Sequence, residues 1–150
     1  MFGIFKKREA PVEDTWAIAK GMEDSLPVLY RYRTGVPTVA SEFATLVNLY
    51  WRYIPGREQG MPGSEDYQRM LRLEEELEKM ESSGAGFVAL SITGNSRKEW
   101  VFYSRSDDSF LEALNEQLAG QPPYPIEIET EADPGWRALL SLHARAGNSA

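Results

Sequence analysis

The stretch Thr93-Gly94-Asn95-Ser96-Arg97-Lys98-Glu99-Trp100-Val101-Phe102-Tyr103 decides how this chain is read. Gly94 and Asn95 tolerate the positive φ that a tight hairpin turn demands. From Glu99 onward the residues alternate, so that Trp100 and Phe102 share one face and Val101 and Tyr103 the other. A hairpin is predicted, with its first strand at 86–93 and its second at 99–104. Val88, Leu90 and Ile92 are expected to form one apolar edge of the first strand.

Upstream, Gly84-Ala85-Gly86 releases a helix predicted over 64–82, whose first residues Ser64, Glu65 and Asp66 suit the positive end of a helix dipole. Met70, Leu73, Leu77 and Met80 recur at helical spacing, and Glu74, Glu75, Glu76, Glu78 and Glu81 fill most other positions. That acidic run reads as a solvated face. Residues 43–53 form a long strand with Thr45, Val47, Leu49, Trp51 and Tyr53 on one side. Leu46, Asn48, Tyr50 and Arg52 lie on the other, so both sides should be partly covered. Earlier still, Trp16, Ile18 and Lys20 alternate with Ala17, Ala19 and Gly21, and 27–33 pairs with them as an N-terminal hairpin.

Downstream, Asp107, Asp108 and Ser109 offer caps to a helix lined by Phe110, Leu111, Leu114 and Leu118. Pro122-Pro123-Tyr124-Pro125 runs extended into the alternating strand 126–131. Asp133-Pro134 then opens a last helix on which Trp136, Leu139, Leu140 and His143 share a face. The order βαββαβ predicts an α+β protein with a ferredoxin-like antiparallel sheet, extended by an N-terminal β-hairpin and a C-terminal helix. Strands 43–53 and 99–104 should be adjacent at its centre. The expected organisation is a flexible tail over 1–14, one domain over 15–146 and a disordered end over 147–150.

Composition narrows the chemistry. The 150 residues carry a formal net charge of -7, which opposes the electrostatic attraction behind most nucleic-acid binding, so no nucleic-acid partner is expected. There is no cysteine, hence no thiolate nucleophile, disulfide or zinc ribbon, and His143 is the only histidine. Neither cofactor nor metal is expected, and a bacterial-type cytoplasmic setting fits best. No apolar run approaches the roughly 18 residues that cross a bilayer. Phe2, Ile4 and Phe5 ahead of Lys6, Lys7 and Arg8 leave open weak contact with an anionic membrane surface.

Asn95, Arg97, Glu99 and Tyr103 are the best polar candidates for a site, because the turn offers backbone donors and Arg97 a bidentate fork. Tyr124 and Trp136 complete the candidate ligand-binding set. Each has a plainer reading: Asn95 as a turn residue, Arg97 paired with Glu99 for about 1 kcal/mol at most, and Trp136 as the anchor of the last helix. The expected function is a non-enzymatic binding or regulatory module for a protein partner or a small polar ligand. Two alternatives stand beside it. One is a carboxylate-dependent hydrolase using Glu99 or Glu127 with Arg97 as a clamp. The other is a peripheral membrane adaptor acting through residues 2–8.

Trp16, Trp51-Arg52-Tyr53, Gly60-Met61-Pro62, the helix bearing Met70, Glu74 and Leu77, and the Thr93–Tyr103 hairpin form a pattern continued by Phe110, Asn115, Pro123-Tyr124-Pro125-Ile126 and Asp133-Pro134-Gly135-Trp136. Over roughly 15–143 this pattern resembles the bacterial domain-of-unknown-function family numbered 695. Some members of that family look to be fused to a domain similar to the bacterial ribonuclease E inhibitor. The resemblance therefore implies a regulatory or protein-binding setting. It supplies no catalytic signature.

Overall fold

The computed structural model describes residues 15–148. The expectations for the tail over 1–14, including its membrane contact, and for residues 149–150 lie outside the described residues. In order, the elements are β1 (Trp16–Glu23), β2 (Leu26–Arg33), β3 (Thr45–Arg52), α1 (Ser64–Ser82), β4 (Gly86–Gly94), β5 (Arg97–Ser104), α2 (Asp107–Gln117), β6 (Ile126–Ala132) and α3 (Arg137–Asn148). The protein is α+β, with a six-stranded sheet in the order β1-β2-β4-β5-β3-β6, every neighbouring pair antiparallel. β3 and β5 lie side by side at its interior, Leu49 opposite Trp100. Gly147 and Asn148, expected beyond the folded domain, are the last residues of α3.

Each face of the sheet has its own core. Val47, Leu49, Trp51, Trp100 and Phe102 pack under α1 and α2, whose Met70, Leu73, Leu77, Phe110 and Leu114 are buried against them. Leu46, Leu90, Val101 and Tyr103 face the opposite way and are covered by Trp136, Leu139 and Leu142. This explains why β3 is apolar on both sides. The hairpin β1–β2 shields β4 through β2, leaving β1 and β6 as the edges.

Both tight turns put non-glycine residues at positive φ: Asp24 and Ser25 at 51° and 66°, Asn95 and Ser96 at 51° and 69°. Two such residues in succession give the mirror-image turn that matches strand twist. The sequence places this demand on Gly94 and Asn95, whereas the turn centres one residue later.

β4 departs from simple alternation. A bulge between Val88 and Leu90 inserts Ala89, so Val88 joins the core under α1 while Leu90 and Ile92 turn to the opposite face. The single apolar edge expected from these residues is thus split. The ladder to β2 stops at Tyr32 opposite Leu90. Beyond it, the Val88 amide donates to Glu81 Oε1 at 2.8 Å, and its carbonyl accepts from Arg33 Nε and Nη2 at 3.2 and 3.1 Å. Side chains replace the missing strand, which is why Arg33 is buried. The acidic run of α1 is correspondingly not only a solvated face: Glu74 accepts from Trp100 Nε1 at 3.0 Å, Glu76 from Gln117 at 2.8 Å, and Glu81 from Arg33 at 2.9 Å.

The last helix starts later than its periodicity predicts. Trp136 precedes it at φ 53°, Leu140 is exposed, and Leu142 takes the buried position. Asp133 caps α3, accepting from the amides of Arg137 and Ala138 at 2.8 and 3.1 Å and from the Tyr103 hydroxyl at 2.7 Å. Burial alone would raise this carboxyl, but those three donors and the Arg137 charge outweigh it and hold the group below the usual carboxylate range. A depressed carboxyl adds stability that is present above its unfolded pKa and lost as pH falls through the folded one. Asp133→Asn should therefore cost about 1 kcal/mol at pH 7, with the gap to wild type closing as pH falls below the usual carboxylate range. Urea midpoints at pH 7 and through the acid range check this; a pH-independent gap would exclude the carboxylate as its origin.

Candidate functional site

The six residues singled out in the sequence fall in three places. Asn95, Arg97 and Glu99 come together with Glu23, Asp24 and Asn48, tying the β1–β2 turn to the β4–β5 turn. Arg97 donates from Nε to Glu99 at 2.8 Å, from Nη1 to the Gly94 carbonyl at 2.8 Å and from Nη2 to Glu23 at 3.0 Å. Asn95 donates to Asp24 at 3.1 Å, and Asn48 to the other Glu99 oxygen at 3.0 Å. Burial works against ionisation of Glu23, yet the Arg97 guanidinium holds its carboxyl below the usual range. The Arg97 fork is thus occupied by the protein's own acceptors.

Tyr103 sits six residues along the same strand, about 20 Å from Arg97 at strand rise. It is fully buried and stacks on Trp136 with centroids 4.0 Å apart. Tyr124 lies on the opposite side of the sheet, tilted against Trp51 at 6.0 Å, with its hydroxyl donating to Gln121 at 3.0 Å.

A wide hollow lies elsewhere. The hairpin β1–β2 widens the sheet beyond what two helices, each roughly 10 Å across, can cover. An open cleft of about 820 Å³ results, bounded by α1, by the loop over 54–63 and by the hairpin. Gly60 seats that loop: its carbonyl accepts from the Tyr53 hydroxyl at 2.6 Å and from the Ser96 amide at 2.9 Å. At Gly60, φ is +73° and a Cβ would come 2.9 Å from the Asn95 nitrogen, so glycine is required.

Ile18 and Leu29 from the hairpin and Tyr67 and Leu71 from α1 make two walls largely apolar, while Arg57 and Glu58 line the cleft from the loop. Ile18, Tyr67 and Leu71 are all exposed at its rim. The floor is polar: Ser91, Thr93 and Lys98, with Glu74 at the side. Lys98 Nζ donates to Thr93 Oγ1 at 2.8 Å and lies 3.9 Å from Glu74 Oε1. Its side chain is only 14% exposed, so it meets solvent through the cleft. Burial pushes the ammonium below the usual lysine range; Glu74 works against this and the Arg31 charge adds to it. Arg31 lines the same cleft, its guanidinium 4.2 Å above the Trp16 ring.

Lys98 was not among the residues picked from the sequence. The available signal was period two: Lys98 shares the face of Trp100 and Phe102, so a lysine there points inward. A second hollow of about 620 Å³ on the opposite face brings Glu99 near Glu129 and Glu131. Among the described residues no group of three or more acidic or histidine side chains is placed to hold a metal ion, and no helix is long and apolar enough to cross a membrane.

No curated protein matches the chain. The model of the Family of unknown function (DUF695) matches residues 14–142, and the chain belongs to that family.

Proposed function

We propose that this family member is a binding module whose cleft between the N-terminal hairpin and α1 takes a small ligand with one anionic group and an apolar body. The observation that carries the reading is the shielded Lys98 ammonium in a cleft that Ile18, Leu29, Tyr67 and Leu71 make largely apolar, with Arg31 lining the same cleft. A charge shielded from water attracts an anion more strongly than one at the surface, and the hydroxyls of Ser91 and Thr93 add donors. Ile18, Leu29 and Leu71 would take the apolar part. Small-ligand sites have this composition of apolar walls and a few convergent polar groups.

The order of β3–β6 with α1 and α2 supports reading that part as a ferredoxin-like unit, to which the hairpin adds the second wall of the cleft. The site would then exist only because the unit is extended.

Calorimetric titration with 4-methylpentanoate, a branched carboxylate, tests the reading. Wild type is expected to bind, and Lys98→Met to bind at least about tenfold more weakly, the equivalent of one lost charge-assisted hydrogen bond. Equal affinity in a folded Lys98→Met protein would remove the anion role of this residue. Binding abolished by Arg97→Met but not by Lys98→Met would move the site to the turn cluster.

A further inference from the structure

We propose that Lys98 is an imine-forming amine, and that the cleft selects carbonyl compounds bearing a carboxylate, such as branched 2-oxo acids. This rests on the ligand reading above and deepens it. Lys98 is held in place by Thr93 Oγ1 at 2.8 Å rather than swinging freely. Glu74 Oε1, 3.9 Å from Nζ, is itself fixed by the Trp100 indole N–H at 3.0 Å, so a carboxylate stands ready to relay the ammonium proton to solvent. The shielded setting enlarges the share of neutral amine, which is the nucleophilic form. A plain carboxylate is held by the Lys98 ammonium together with Arg31; with a 2-oxo acid, Arg31, stacked on Trp16 in the same cleft, keeps the carboxylate while the neutral Nζ meets the carbonyl carbon. The apolar wall of Ile18, Leu29 and Leu71 accommodates the branched chain.

The chemistry balances without a further reactant. The neutral Nζ adds to the carbonyl carbon, forming a C–N bond while one amine proton passes to the carbonyl oxygen. The resulting hydroxyl leaves as water with the second amine proton, and the C=N bond forms. Water reverses the sequence and releases the ligand. The protein would thus hold a reactive carbonyl compound reversibly and covalently.

The chain has lysines at positions 6, 7, 20, 79 and 98, which supplies internal controls. The whole protein is incubated at pH 7 with 2-oxo-4-methylpentanoate and sodium cyanoborohydride, then mapped by peptide mass spectrometry. Expected is one adduct, on Lys98, at least about tenfold above Lys20 or Lys79, suppressed by excess 4-methylpentanoate and missing from Lys98→Arg. Adduct spread over the exposed lysines, or none at all, overturns the inference. If the wild-type protein binds 4-methylpentanoate yet gives no adduct, the inference falls and the ligand reading survives. If it does neither, both fall.

Discussion

Gly86→Ala should leave the protein largely unfolded or cost at least about 3 kcal/mol, because the new methyl has nowhere to go. Gly86 sits at φ +153° where α1 gives way to β4, paired with Ser104. A Cβ there would lie 2.0 Å from the Tyr103 carbonyl oxygen and 2.6 Å from Phe102 Cε1. The ring could turn, but the carbonyl belongs to the central ladder and can move only by parting β4 from β5. Gly84 provides the control: its φ is +93°, yet a Cβ would meet nothing within 4 Å. Gly84→Ala should therefore cost only about 1 kcal/mol of backbone strain. Urea denaturation of both variants makes the comparison, and similar midpoints would show that the close approach to Tyr103 is not what demands glycine at position 86.

Trp136→Ala is expected to cost about 3–5 kcal/mol, the usual range for emptying a buried tryptophan site. The ring is fully buried, stacked on Tyr103 and tilted against Phe87 at 6.0 Å. Its indole N–H bridges the carbonyls of Phe43 and Ala40 at 3.0 and 3.2 Å. One side chain therefore joins α3, β5, β4 and the segment leading into β3. Trp136→Phe keeps most of the apolar area but loses the bridge, and should fall between wild type and alanine. The positive φ adds a second check. Trp136→Gly makes the same cavity and relieves about 1 kcal/mol of backbone strain, offsetting glycine's greater loss of chain entropy, so it should be no worse than alanine. A loss below about 1 kcal/mol for Trp136→Ala would mean that α3 is not anchored through this ring.

Much of the architecture was legible because it depends on period. The alternation through β3, β5 and β6 and the apolar spacing of α1 each report burial on one face, and both kinds of burial repeat regularly along the chain. Asn95 and Arg97 were legible as a polar cluster for the same local reason. What escaped was whatever required a partner distant in sequence. Ala89 looks like any strand residue, so the bulge that separates Val88 from Leu90 has no local mark. Glu81 reads as part of a solvated face and nothing local marks Arg33, until each is seen completing the backbone of Val88. Trp136 matches the helical period of Leu139 and Leu140 but belongs to the turn before the helix, because Asp133 caps at Arg137 instead.

Taken alone, the sequence determined the kinds and order of the elements, the apolar faces they bury and the absence of thiol chemistry, since these follow from residue type and short-range spacing. Only the tertiary structure decided where a site can be. The cleft exists because a hairpin from one end of the chain extends the sheet past the span of α1. Lys98 is shielded there because residues from segments distant in sequence, among them Arg31, Glu74 and Thr93, close around it and remove water from its charge.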